Sequence, residues 1–255
     1  MKKVAGRFVS LSLPRRMVCD TLYASRQVPQ VMGERRMRLG PLLADRKATA
    51  APRPSLLAMF IKAFAIVAAR RPELRRVFVA RPWHRLYEYD RNLVSITIER
   101  DYQGESALFL VRLESPEQMP LLEIDARLRK LKEQPIEKTS HFRNALRIAS
   151  LPLLLRRLFW SLVMNWMPRL RGRSLGTMGF SVTASMGAVA LTLITPWTTS
   201  VYYDFPDADG SLNVRVALDH RGLDGKAMAR ALAEVEQEML GSIRAEVATL
   251  RRKAA

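Results

Sequence analysis

Cysteine is nearly absent from this 255-residue chain, which contains only Cys19. One cysteine excludes a disulfide framework and a thiolate metal cluster, and it fits a reducing compartment. Lys2 and Lys3 are not followed by the apolar run of a signal peptide, so secretion is not expected. No segment with the composition of a linker interrupts the chain, and 48% of its residues are hydrophobic. We therefore predict a single domain over residues 1–255 with a buried core.

Acidic residues are also scarce, with 24 Asp and Glu against 42 Lys and Arg, and the formal net charge is +18. Such a field attracts polyanions such as nucleic acid, anionic lipid, acidic carrier proteins and phosphorylated cofactors. Aromatic residues make up only 7% and are not interleaved with basic residues as a stacking platform requires. No zinc spacing or helix-turn-helix pattern occurs. Nucleic acid is therefore not the expected partner.

The positive charge is concentrated in two segments. Residues 1–54 carry a net charge of +9, and residues 141–173 contain seven arginines and no acid. Within the second segment, 152–167 consists mostly of leucine, tryptophan and methionine, but it is shorter than the ~20 residues of a membrane span, and Arg156 and Arg157 interrupt it. We predict an apolar basic insertion whose helix lies in an anionic membrane interface. The alternative is a buried core or oligomer helix.

Hydrophobic periodicity predicts helices and strands that are mixed without a regular βαβ repeat, which favours an α+β fold. Helices are predicted over 13–25, 56–71, 120–134 and 226–252, and strands over 28–37, 93–98, 107–113, 180–183, 188–193, 199–204 and 212–218.

The most informative motif is Asp-His-Arg-Gly-Leu-Asp-Gly at 219–225. It puts His220 at the exit of a predicted strand, four residues before Asp224 and a glycine turn. A histidine in this position can act as a general base, although taken alone such a residue is more often a simple surface histidine. His84 and His141 have no partner pattern and are expected to be exposed.

In order along the chain, several segments resemble the catalytic core of the dihydrolipoyl acyltransferases of 2-oxo acid dehydrogenase complexes. Chloramphenicol acetyltransferase shares this fold. The resemblance implies an α+β, chloramphenicol acetyltransferase-like two-layer sandwich with a mixed sheet and flanking helices, assembled as a homotrimer with active sites between subunits. The similar segments are the strand entry at 25–29, the long helix at 60–65 with its Pro-Glu-Leu exit at 71–74, the hairpin at 93–111, the Gly-Thr strand at 176–196 and the histidine motif.

The resemblance also implies roles for individual residues. His220 would remove the proton from the acceptor, because transfer from a thioester needs a deprotonated nucleophile. In this family a serine hydroxyl on the Gly-Thr strand stabilises the oxyanion. Strand alternation puts Thr183 at that place, with Ser181 as the substrate-binding fallback. Asp224 is expected to hold the histidine loop by a salt bridge or a cap, with no metal at the site.

Two features depart from the family. The sequence shows no lipoyl or subunit-binding domain, and Asp20 falls where the family's arginine partner of Asp224 is expected, with Arg15, Arg16 and Arg26 nearby. We therefore expect a stand-alone acyltransferase with no bound cofactor. It would use acyl-coenzyme A or an acyl carrier protein as donor and a hydroxyl or amine acceptor, in the cytoplasm at the inner face of the cytoplasmic membrane. The alternatives are a core that serves a separate lipoyl protein and a non-catalytic trimeric scaffold.

Overall fold

The computed structural model describes residues 5–181 and 194–253. Its helices are α1 (Leu13–Ser25), α2 (Gly40–Ala48), α3 (Leu56–Arg70), α4 (Leu121–Glu133), α5 (Ser140–Ser150), α6 (Leu153–Asn165), α7 (Pro168–Leu175), α8 (Gly225–Glu238) and α9 (Arg244–Lys253). Its strands are β1 (Gln30–Arg38), β2 (Arg76–Val79), β3 (Arg85–Glu88), β4 (Leu93–Tyr102), β5 (Glu105–Glu114), β6 (Met178–Phe180), β7 (Thr199–Tyr203) and β8 (Ser211–Asp219).

Six strands form a mixed sheet in the order β1-β8-β7-β6-β4-β5. Strand β6 runs parallel to both β4 and β7, whereas the other pairs are antiparallel. Strands β2 and β3 pair separately as a small antiparallel ribbon. A mixed sheet with flanking helices confirms the predicted α+β class.

The hairpin of β4 and β5 follows directly from its turn. Gln103 and Gly104 are the two turn residues, with φ of 55° and 78°. Two consecutive residues in this region match the right-handed twist of the flanking strands, and glycine adopts the region without strain. The register that results pairs Ile96 with Val111 and Thr97 with Leu110.

One face of the sheet, which we call the inner face, packs against the main apolar core. Val94, Ile96 and Ile98 of β4 alternate towards this face and are at most 2% exposed. Helix α3 lies within the same core, and nine of its fifteen residues are buried, so it has almost no solvent side. Its start is fixed by Ser55, whose Oγ accepts a hydrogen bond from the Ala58 amide at 3.1 Å.

The opposite face, the outer face, is more polar. On β4 it carries Ser95 and Thr97, and on β5 it carries Leu108, Leu110 and Arg112, because strand side chains alternate. Helices α1 and α5 contact β5 here, and α6 packs against α1. The β4–β5 side of the outer face therefore lies under α1 and the helices of residues 141–173.

Most predicted elements are confirmed, with bounds shifted by a few residues. The predicted C-terminal helix is interrupted by a π-helical turn at Met239–Ile243. Helix α2 and the ribbon of β2 and β3 were not predicted. The predicted strand at 188–193 lies outside the described residues. Across 5–181 and 194–253, no helix is long and apolar enough to cross a membrane.

Candidate active site

His220 follows directly after β8, as the sequence predicts, and its side chain is exposed. The ring Nδ1 lies 2.9 Å from the carbonyl oxygen of Leu223. A carbonyl oxygen can only accept, so Nδ1 carries the proton and donates it to Leu223. In the neutral ring the lone pair is then on Nε2, which is the arrangement that a general base needs.

The loop that carries His220 is anchored by its neighbours on both sides. The buried carboxylate of Asp219 accepts hydrogen bonds from Nε and Nη2 of Arg221 at 2.8 and 2.7 Å. The Arg221 guanidinium lies over the ring of Phe78, 4.4 Å from its centroid. The amide of His220 itself donates to the carbonyl of Pro29 at 3.0 Å. These contacts fix the backbone of the loop against β1 and the β2–β3 ribbon.

Asp224 closes the same loop as the N-cap of α8. Its carboxylate accepts a hydrogen bond from the Ala227 amide at 2.7 Å, which satisfies one free donor of the first helical turn. Within the described part of this single chain, Asp224 forms no salt bridge. The predicted cap is therefore present, and the ion pair is not formed here.

Arg171 on α7 lies behind this loop and was not predicted as a site residue. It is 2% exposed and donates to the carbonyls of Phe78 and Pro196 at 3.2 and 2.9 Å. Burial lowers its pKa, and the nearby charge of Asp219 opposes that effect. Arg171 thus connects the ribbon, the segment after residue 194 and the histidine loop. The arginine-rich composition of 141–173 gave no sign of which arginine would turn inward.

A cavity of about 760 Å³ lies under the outer face of the sheet, between β4, β5 and the helices α1, α5, α6 and α7. Its lining is mostly apolar, with Leu108 and Leu110 on the sheet and Trp160 and Trp197 on the other side. Ser181 also lines it. His220 is not among its lining residues in the described part of the chain, so this cavity does not bring Ser181 and His220 together within a single subunit.

Comparison with solved structures identifies similar folds. A probable dihydrolipoamide acetyltransferase from Listeria monocytogenes matches with a TM-score of 0.62 and 15% identity, over 98% of this chain and 97% of that one. A dihydrolipoamide acetyltransferase from Azotobacter vinelandii matches with a TM-score of 0.65 and 18% identity, over 95% and 94%. For a chloramphenicol acetyltransferase the values are 0.53 and 13%, over 90% and 96%.

The chain has the chloramphenicol acetyltransferase-like fold. No protein-family model matches the sequence, and no curated protein matches it either. At these identities the likeness shows the fold alone. It confirms the fold that the ordered sequence segments predict.

The cavity of this chloramphenicol acetyltransferase-like fold contains an arginine–histidine pair. Nη2 of Arg112 lies 2.7 Å from Nδ1 of His141, and both residues line the cavity. The prediction that His141 is exposed and unpartnered is wrong, because α5 folds it onto β5, where it is half-buried. Burial, followed by the charge of Arg112, lowers the pKa of His141. His84 is exposed, as predicted.

A buried ion pair joins α1 to α6 beside the cavity. Nη1 of Arg156 lies 3.0 Å from each carboxylate oxygen of Asp20, and both side chains are almost fully buried. Burial raises the pKa of Asp20, and the attraction of Arg156 works against that increase. Asp20, which falls where the family's arginine is expected, therefore has an arginine partner from the basic segment.

Helix α6 buries a charged residue and exposes apolar ones, which is the opposite of what residue type alone suggests. Arg156 points inward, whereas the leucines around it point outward. Leu154 is 81% exposed and Leu158 is 56% exposed. Arg157 stacks on the ring of Tyr23 at 4.0 Å. Helix α6 therefore presents an apolar outer surface, consisting of Leu153, Leu154, Leu155, Leu158 and Leu162, and is not a buried core helix within one chain.

The predicted oxyanion donors are only partly described. Ser181 follows β6, is half-buried and donates its amide to the carbonyl of Val201 at 3.1 Å. Thr183 lies outside the described residues. Sequence alternation predicted the strand that leads to both residues, but it gave no sign of the cavity that Ser181 lines.

Proposed function

We propose that this protein is an acyltransferase in which His220 acts as the general base. The observation that carries the proposal is the hydrogen bond from Nδ1 to the Leu223 carbonyl, which leaves the lone pair on an exposed Nε2. The similar Azotobacter vinelandii enzyme supports the proposal. A serine, a histidine and an asparagine four residues after the histidine have been investigated in its catalytic mechanism. Here Asp224 stands four residues after His220.

The proposed reaction moves an acyl group from a coenzyme A thioester to a hydroxyl or amine. Nε2 of His220 takes the acceptor proton while the acceptor attacks the thioester carbonyl. The tetrahedral oxyanion receives a hydrogen bond from the hydroxyl of Thr183, or of Ser181 as the fallback. Collapse of the intermediate breaks the carbon–sulfur bond, and the leaving thiolate takes the proton from His220. An acyl carrier protein is the second candidate donor, because the basic surface suits both.

We further propose that each active site is formed between two subunits of a homotrimer. Support comes from the separation of the two groups within one chain, because Ser181 lines the cavity and His220 does not. A mixing experiment tests this arrangement. His220→Ala and Thr183→Ala subunits, each inactive alone, should regain activity when denatured together and refolded as mixed trimers. If the mixture stays inactive while refolded wild type recovers, the site does not lie between subunits.

The third part of the proposal concerns the membrane. The helices that precede and follow the exposed leucines of α6 in the sequence carry exposed arginines, Arg143 and Arg147 on α5 and Arg169 and Arg173 on α7, a combination that suits an anionic interface. Leu154→Glu together with Leu158→Glu should abolish sedimentation with anionic vesicles at low salt. Phe205→Glu, at another exposed apolar residue, should leave it unchanged. A shift to smaller oligomers in the double variant, without loss of sedimentation, would instead assign this face to a subunit interface.

The decisive experiment measures thioester consumption by the purified protein. Acyl-coenzyme A and acyl carrier protein donors are run in parallel with lipid extract, dihydrolipoamide and simple amines as acceptors. Activity should fall by about 10²–10⁴-fold in His220→Ala, whereas His84→Ala, at an exposed histidine, should retain it. Transfer to dihydrolipoamide alone would favour a core that serves a separate lipoyl protein. Equal rates for wild type and His220→Ala would reject the catalytic role.

A further inference from the structure

Arg112 is a half-buried cation without a counter-charge among the described residues. Its Nη1 is fully buried and has no hydrogen-bond partner, and Nη2 contacts only the neutral nitrogen of His141. Burial lowers its pKa. No carboxylate in the described part of the chain forms a salt bridge with it. A buried guanidinium nitrogen without a hydrogen-bond partner carries a desolvation cost, and an anionic group is the partner that suits its charge.

Arg112 differs from the other inward-facing arginines because it lines the cavity. Arg156 is paired with Asp20, and Arg171 donates to two carbonyls. Arg215, on the other half of the outer face, is paired with Glu34 and Asp204 at 2.5 Å each. Arg157 also has a buried Nη1 without a hydrogen-bond partner, but its guanidinium stacks on Tyr23 and does not line the cavity. Of these five arginines, Arg112 is the one that lines the cavity.

The protonation state of His141 adds a donor to the same site. Arginine can only donate, so Nδ1 of His141 accepts from Arg112 and the ring proton is on Nε2. The Nε2–H group makes no hydrogen bond with the described residues. Arg147 and Arg173 also line the cavity and are exposed at its edge. Among the described lining residues Asp20 is the one acid, and it is already paired with Arg156. The charged groups of the lining are therefore predominantly basic.

Apolar side chains predominate in the rest of the lining. Leu108, Leu110, Phe159, Trp160 and Trp197 line it, and its volume of about 760 Å³ is within the range of small-molecule sites. Ser181, the fallback oxyanion donor, lies on the same lining. A ligand that satisfies this surface needs a long apolar body and one anionic group.

We propose that the cavity binds an amphiphile with a single anionic head group, a carboxylate or a phosphate monoester, held by Arg112 and His141 with its alkyl chain against the apolar lining. Assignment of this amphiphile as the acyl acceptor rests on the proposed function, whereas its binding does not. The acceptor class is then a hydroxyl- or amine-bearing lipid with an acidic head.

Binding can be measured without catalysis, because Trp160 and Trp197 line the cavity and report on its occupation by fluorescence. Decanoate and decyl phosphate are titrated against the full-length protein, with 1-decanol as the neutral probe. Both anions should bind at least about tenfold more tightly than the alcohol, given the usual strength of a charge-assisted hydrogen bond. The tighter of the two anions identifies the head group. Equal binding of the alcohol, or no binding of either anion, overturns the proposal.

Variants assign the binding to this site. Arg112→Gln should weaken the anions at least about tenfold and leave 1-decanol unchanged. Arg129→Gln on α4, which removes an exposed arginine outside the cavity, is the charge-matched control. Should Arg112→Gln unfold, Ala145→Trp fills the cavity from α5 and keeps every charge. Ala145→Trp should abolish binding of all three probes, and anion binding unchanged in this variant would also overturn the proposal.

His220→Ala separates the two proposals. It should bind both anions as the wild type does, since His220 does not line the cavity in the described chain. Anion binding by the wild-type protein without any acyl transfer would reject the proposed function and keep the ligand site. Acyl transfer by a wild-type protein that binds no anion would reject the ligand site and keep the proposed function.

Discussion

The two faces of the six-stranded sheet are built in different ways. On the inner face, β4 and β5 present mostly apolar side chains to the core, with Phe109 fully buried. On the outer face the same strands present Thr97 and Arg112, and helices from the basic segment leave a cavity above them. The inner face gives the fold its stability, whereas the outer face leaves space and unpaired charge. This difference indicates that ligand binding belongs to the outer face.

Neighbouring residues of β5 give the sharpest test of this difference. Phe109→Ala on the inner face should lower the free energy of unfolding by about 3–5 kcal/mol, because it leaves a void in a dense core. Leu110→Ala on the outer face should cost less than about 2 kcal/mol, since its side chain already borders empty space. Urea denaturation measures both. Equal losses would mean that the outer face is as tightly packed as the inner one.

The outer face should nevertheless be sensitive at its buried ion pair. Asp20→Ala leaves Arg156 buried and uncompensated, and we expect a loss of about 3 kcal/mol, near the lower end for such pairs because burial already raises the pKa of Asp20. The double variant Asp20→Leu with Arg156→Met should recover most of this loss. No recovery in the double variant would show that the loss of stability comes from the helix contacts and not from the charges.

Gly179 lies where the outer face is tightly packed. A Cβ on this residue would lie 2.4 Å from the ring of Trp197, so Gly179→Ala must displace the indole. We expect a loss of about 1–3 kcal/mol in the free energy of unfolding. Because Trp197 lines the cavity, its fluorescence should shift as well. Gln103→Ala is the control for a general fluorescence effect, because Gln103 is exposed and lies next to Gly104 in a turn with open surroundings.

The smallest expected effect concerns pH. The folded-state pKa of His141 is lowered by burial and by Arg112, while Arg147, Arg173 and the paired Asp20 are the other charged cavity residues. Below the ordinary value of about 6.5, the unfolded chain binds a proton that the folded chain does not. The free energy of unfolding should therefore fall as the pH drops below about 6.5. In His141→Gln this part of the pH dependence should be absent, and an unchanged slope would contradict the assignment.

Sequence patterns predicted the inner face better than the outer face for a physical reason. Alternation in β4 and the apolar length of α3 are local signals, and they gave the strands, the long helix and the position of His220. The pairing of Asp20 with Arg156 and of Arg112 with His141 joins residues 136 and 29 positions apart, which no local pattern encodes. Composition correctly marked 141–173 as unusual. It could not show that Arg156 points inward while Leu154 points outward.

The hydrogen bond between Nδ1 of His220 and the Leu223 carbonyl has a consequence for how this site responds to mutation. The group that orients the histidine belongs to the main chain, so no side-chain substitution at 223 removes it unless the loop changes shape. A search for a catalytic triad by residue type would find a histidine without a carboxylate and would reject it. Under the proposed function, random mutagenesis would likewise identify His220 and leave its orienting partner undetected.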